Sequence, residues 1–191
     1  MKDDLGYIRL QRRLKIDPEF CALTRDAQWL YETLLLDVDF VGIADWRPKK
    51  LAKRAADTTA DVIDRAAAEL TSRLFIIVDE DTDEVFVRTF MKHDGLYKQP
   101  NMCKAMVKAF MSVGSPTLRS MISHELNQIG PRLRYDIEQR GLSSGEKKSE
   151  HDKLDRCWHA LNEITSYPQI NPAAVLEDFN QQYDKHFEGA Y

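Results

Sequence analysis

The sequence predicts a mainly α-helical chain carrying one small β-hairpin, and three observations predict it. Apolar residues recur at three-and-four intervals in successive segments, a spacing that gathers them on one face of a helix. Between residues 75 and 90 the pattern changes to β-branched and aromatic runs around a polar tip, which is the composition of a two-stranded ribbon. Glycine and proline then punctuate the chain at Gly114-Ser115-Pro116 and Gly130-Pro131, where helices are expected to stop.

Residues 7–16 alternate in part, with Tyr7, Arg9, Gln11 and Arg13 interleaved with Ile8, Leu10 and Arg12, and Asp17-Pro18 closes them as a turn. A short strand is expected there, able to pair at the edge of the ribbon. Ala27, Leu30, Tyr31, Leu34 and Leu35 place the first helix. Residues 41–46 are a short apolar crossing that contains Gly42, and Pro48 after Arg47 suits the first turn of a second helix over residues 49–56. Asp57, Thr58 and Thr59 offer side-chain acceptors to the free amides of a third helix. Ile63, Ala66, Ala67 and Leu70 carry that helix to about Arg73. Residues 75–78 and 85–90 are the two strands of the ribbon, with residues 79–84 as its tip. Trp29, Leu30, Leu34, Leu51, Ile63, Leu70, Phe75 and Val87 are the expected core of this part.

Helix, crossing, helix, turn, helix and ribbon is the element order of a winged helix-turn-helix. Leu51-Ala52-Lys53, Thr59, Ile63, Ala67, Leu70 and Leu74-Phe75-Ile76 resemble the winged helix-turn-helix pattern of bacterial and phage regulators. The turn is one residue longer than usual, and Ala56 stands where glycine is common. Val87-Arg88-Thr89-Phe90-Met91-Lys92-His93-Asp94-Gly95 with Lys98-Gln99-Pro100-Asn101 resembles the segment after the wing in DnaD-like replication or helix-turn-helix proteins of actinobacterial phages. The resemblance covers roughly residues 5–130. It implies DNA binding in phage or prophage biology, in replication initiation or gene regulation.

Beyond the ribbon, Met102, Met106, Val107, Phe110 and Met111 mark one helix, and Leu118, Met121, Ile122 and Leu126 a second that Gly130-Pro131 ends. The methionines 102, 106, 111 and 121 are read as core fillers. Residues 132–142 read as a further short helix, and residues 143–148 lack apolar side chains and read as a linker. Leu154, Trp158, Leu161 and Ile164 then mark one amphipathic helix, and Val175, Leu176, Phe179, Tyr183 and Phe187 another. The expected organisation is a winged helix-turn-helix domain at residues 1–95, a helical hairpin extension at 96–142, a linker at 143–148 and an acidic two-helix C-terminal module at 149–191.

The length and the 43% hydrophobic content support one good core and a small satellite. Cys21, Cys103 and Cys157 are odd in number and widely spaced, which points to reduced thiols and a cytoplasmic setting. No membrane span or signal segment is expected. The net charge of −4 is unusual for a DNA binder, but it is unevenly spread. Residues 149–191 hold eight carboxylates against three basic residues, a balance of −5 that leaves +1 for the rest.

Inside that remainder, cations cluster at Arg9, Arg12, Arg13 and Lys15, at Arg47, Lys49, Lys50, Lys53 and Arg54, and at Lys92, Lys98, Lys104 and Lys108. The expected DNA contacts are Arg12, Arg13, Lys49, Lys50, Lys53, Thr59, Arg65, Lys92, Lys98, Gln99, Asn101 and Lys104. Most would be sequence-independent phosphate contacts, because the outward positions of the third helix include Asp61 and Asp64 and only one base reader, Arg65. Duplex and single-stranded DNA both remain open. Tyr97 among the lysines could stack on exposed bases, or pack under the wing as a buried tyrosine.

Asp79, Glu80, Asp81, Asp83 and Glu84 make the ribbon tip acidic. This opens a second reading, a protein-interaction module that binds or inhibits a host factor through Asp79, Glu80, Asp81 and residues 149–191, without DNA. A second copy of the chain is a further partner reading, since many helix-turn-helix proteins read two half-sites. Catalysis is not expected. Cys157 and His159 diverge on a helix, His124-Glu125 lacks a second histidine at the metalloprotease spacing, His93-Asp94 suits a turn, and no glycine-rich phosphate loop occurs. No cofactor or metal is expected.

Overall fold

The chain divides into two compact units at Asp94 and Gly95. The structure, a computed structural model, describes residues 12–170. Its described part is mainly helical, with one small three-stranded antiparallel sheet.

In the first unit a 3-10 turn, Arg12–Ile16, leads into α1, Pro18–Cys21. Asp17 caps α1, its carboxylate accepting the amides of Glu19 and Phe20. The strand expected over residues 7–16 is therefore absent from its described part, because Asp17-Pro18 ends the preceding segment in a turn; residues 7–11 lie outside the described residues. α2, Arg25–Leu35, starts on a Thr24 cap and buries Ala27, Leu30, Tyr31, Leu34 and Leu35, the residues whose spacing predicts it.

Residues 41–46, expected as a mere crossing, contain β1, Ile43–Asp45. Asp39 turns the chain into it by accepting the amides of Val41 and Ile43 at 2.9 and 3.0 Å. Gly42, at φ +90, follows that turn and accepts the Val87 amide at 2.8 Å. A Cβ at Gly42 would lie 3.0 Å from the Val87 carbonyl, so both backbone angle and space require glycine.

The second helix is short: α3, Pro48–Leu51, continues as a 3-10 turn, Ala52–Arg54, and stops before the expected Ala56. α4, Ala60–Ser72, is capped by Thr59 and packs on α2 and α3 through Ile63, Ala66, Ala67 and Leu70. β2, Ile76–Asp79, and β3, Glu84–Val87, form the hairpin, and β1 pairs with β3 on its other side. Phe86 sits at the centre, opposite Ile43 on one flank and Ile77 on the other, and is fully buried. The ribbon's second strand ends at Val87 rather than Phe90, which opens a further helix, α5, Phe90–Asp94. Trp29, expected in the core, is only half-buried, whereas Trp46 is buried.

The second unit contains only helices among the described residues. A 3-10 turn, Leu96–Lys98, precedes α6, Pro100–Ser112; α7 is Pro116–Gln139, α8 Ser144–Ala160 and α9 Asn162–Thr165. Two expectations fail here. α7 does not stop at Gly130-Pro131 but absorbs the short helix expected over residues 132–142. Gly130 serves packing: a Cβ there would lie 2.9 Å from three atoms of the Trp158 indole. Pro131 costs the helix one amide donor without ending it.

Residues 143–148 are not a linker. Ser143 and Glu146 form a capping box that starts α8, each bonding the other's backbone amide. α8 packs on α6 and α7 and buries Leu154 and Cys157, so the described part of residues 149–191 belongs to the same core as residues 96–142. Ser123 and Asn127 of α7 donate to the carbonyls of Tyr167 and Thr165, both at 2.9 Å, and tie down the end of α9. Met106 and Met121 are buried as expected of core fillers, but Met102 is partly open and Met111 is 59% exposed. The last expected helix, with Val175, Phe179 and Tyr183, lies outside the described residues. No helix among the described residues is long and apolar enough to cross a membrane.

Candidate nucleic-acid interface

The segment from Arg47 to Arg54 gathers five cations on about two helical turns. Pro48 pre-sets the first turn and the buried Leu51 anchors it to the core, so the residues between them face water. Lys49, Lys50 and Lys53 are all exposed. Their two neighbours are engaged: Arg54 meets Asp37 at 2.6 Å and Arg47 lies 3.8 Å from Asp45. Among the described residues no carboxylate pairs with Lys49, Lys50 or Lys53.

The other expected contacts of this unit are less well placed. Arg12 is exposed in the first 3-10 turn, with Arg13 in the same turn. Thr59 uses its hydroxyl to accept the Val62 amide at 3.4 Å, which commits it to the α4 cap. Lys92 is half-buried in α5 and already engaged within the protein. On α4, Arg65 is exposed beside exposed Asp61 and Asp64. Glu69 is turned to structure, accepting both the amide and the hydroxyl of Thr24.

The charge of α4 joins that of the hairpin tip. The Asp64 carboxyl is pushed up from its ordinary value by partial burial, then by the charges of Glu80 and Asp61. Asp79 closes the tip by accepting the amides of Asp81 and Thr82, and Asp83 takes a left-handed φ of 54°. Glu80, Asp81 and Asp83 are left exposed. The outward side of α4 and the tip therefore form one anionic patch, which repels phosphate.

In the second unit, the exposed side of α6 carries Asn101, Lys104 and Lys108 in line, at helical intervals opposite the buried Cys103, Met106 and Phe110. Lys108, left out of the expected contacts, belongs with Lys104 by its four-residue spacing. Gln99 is exposed at the α6 N-cap and makes no capping bond with its side chain. Lys98 is exposed, with its ammonium 5.7 Å from the Tyr97 ring centre. Tyr97 is 4% exposed and meets Trp158 edge to face at 6.1 Å. Base stacking on Tyr97 is therefore blocked, and Trp158 of the same unit covers it.

The sulfur and imidazole groups show the divergence expected from sequence. Cys157 is buried while His159 is exposed. Cys103 lies beside Cys157, and burial, with its neighbour second, pushes the Cys103 thiol up to about 12, far from a reactive thiolate. Among the described residues no three His, Cys, Asp or Glu side chains are grouped to hold a metal ion. Comparison with models of protein families, with curated proteins and with solved structures finds no match to this chain.

Proposed function

We propose that residues 12–94 form a winged helix whose basic α3 edge binds the DNA backbone. α2, α3 and α4 supply the helical part, the β2–β3 hairpin is the wing, and β1 completes the sheet in the order β1-β3-β2. The observation that carries the reading is the trio Lys49, Lys50 and Lys53, exposed on one short element without a described carboxylate partner. Contact is with phosphates and largely independent of sequence, because Asp61, Asp64 and Glu80 keep α4 and the wing tip from the strand they would otherwise read. Asn101, Lys104 and Lys108 offer the second unit's own strip of phosphate donors. With the resemblance of the wing region, this reading makes the chain a phage or prophage protein acting in replication initiation or gene regulation.

The test is a salt series with the full chain on labelled random duplex and single-stranded DNA. Binding falls linearly on a log-log plot against salt, and Lys49→Ala/Lys50→Ala/Lys53→Ala lowers the slope by about 2 to 3. No binding at low salt by the unaltered chain removes the reading. The anionic patch of Asp61, Asp64 and Glu80 favours a second reading, a protein partner with a cationic surface. In that case Asp64→Asn/Glu80→Gln weakens partner capture while the lysine variant leaves it intact.

A further inference from the structure

The second unit carries a cleft that the nucleic-acid reading does not use. It lies between the end of α7 and the middle of α8 and encloses about 110 Å³. Its floor is apolar, made by Leu133 and Ile137 of α7 with Leu154 and Cys157 of α8, and three of these four are buried. The rim is cationic. Lys98, Arg140 and Lys153 stand around it against one carboxylate, Glu150, which lies 4.0 Å from Arg140. Arg140 is thus balanced locally, whereas Lys98 and Lys153 have no carboxylate partner among the described residues.

Size and charge together select the occupant. Sites for free cofactors or metabolites run to roughly 300–1,000 Å³, and a closed cavity of about 150 Å³ holds a whole benzene ring, so this smaller, open cleft takes the end of one large apolar side chain and leaves the rest of its ligand outside. Two uncompensated ammonium groups at the mouth favour carboxylates on either side of that anchor. We propose that the cleft docks an acidic peptide of a partner protein, one leucine- or phenylalanine-sized side chain seated on Ile137 and Leu154 and the flanking carboxylates on Lys98 and Lys153. Apolar burial supplies most of the affinity and the lysines supply selection.

The experiment measures fluorescence anisotropy of a labelled Gly-Asp-Asp-Phe-Asp-Asp-Gly peptide against the full chain. Saturable binding is expected, weakened about tenfold or more by serine in place of the phenylalanine and by a similar factor in the Lys153→Glu protein. Lys153 is exposed on α8, and an unchanged helical circular dichroism spectrum shows that the variant folds. The same variant should bind random DNA within about twofold of the unaltered chain, which separates this site from the α3 edge. The proposal is overturned if the full chain fails to bind the peptide. Equal binding of the serine peptide, or insensitivity to Lys153→Glu, overturns it as well.

Discussion

The α7–α8 seam and the α3 edge use their cations in opposite ways. Across the α7–α8 seam three basic groups are spent on carboxylates of the neighbouring helix: Arg134 on Asp155 at 2.6 Å, Lys147 on Glu138 at 3.2 Å, and Arg140 near Glu150 at 4.0 Å. Along α3 and the 3-10 turn that continues it, three lysines stand without such partners, and acids of that unit collect on α4 and the hairpin tip. A count of lysines and arginines treats both groups alike. What distinguishes them is whether a folded neighbour has already neutralised the charge, and only uncompensated cations release counterions when phosphate arrives.

That contrast sets the largest expected effect. Three lost phosphate contacts at 0.1 M salt correspond to a fall of several hundredfold, roughly, in DNA affinity, so Lys49→Ala/Lys50→Ala/Lys53→Ala should nearly abolish binding in an anisotropy titration. Arg134→Ala, which removes a paired cation, should leave the same titration within about twofold. Equal losses from both variants would break the comparison. Next come the cores. Phe86→Ala empties the centre of the sheet and should cost about 3–5 kcal/mol in chemical denaturation. Gly130→Val drives a side chain into the Trp158 indole and should cost about 1–3 kcal/mol, with a change in the near-ultraviolet tryptophan signal.

Much of the first unit is legible because its signals are local. Thr24 and Thr59 cap helices whose apolar faces repeat at helical spacing, and the hairpin strands are β-branched and aromatic runs on either side of a polar tip. β1 is not legible in the same way, since a three-residue strand defined by pairing to Val85 and Phe86 has no period of its own. In the second unit the punctuation misleads. Gly130-Pro131 has the composition of a helix end, but the reason for the glycine is a tryptophan 28 residues later, and nothing local announces such a contact. The start of α8 was within reach: Ser143 and Glu146 have the spacing of a capping box, obscured by the polar composition around them. Of the candidate site, the clusters on α3 and α6 follow from sequence. Tyr97 and Lys92 do not, because burial of one and engagement of the other depend on tertiary packing.

The smallest effect concerns the clasp between α7 and α8. Glu138 accepts from His151 at 2.7 Å and from Lys147 at 3.2 Å, and these bonds, the histidine's first, hold its carboxyl below the ordinary glutamate value. Glu146 is lowered in the same direction by the Ser143 hydroxyl and amide. A carboxyl whose folded value is depressed lends stability above its unfolded value and loses that contribution as the pH falls through the folded one. Glu138→Gln, which has no such charge to lose, should therefore start from lower stability at neutral pH and lose less as the pH falls through the carboxylate range, so that its stability curve converges with that of the unaltered chain in acid. Both carboxyls are exposed, so the difference is small and shrinks with salt. A pH titration of stability in which Glu138→Gln runs parallel to the unaltered chain from neutral pH to below the carboxylate range would show that the clasp holds nothing, and that the ion pairs of the second unit are neutralising rather than stabilising.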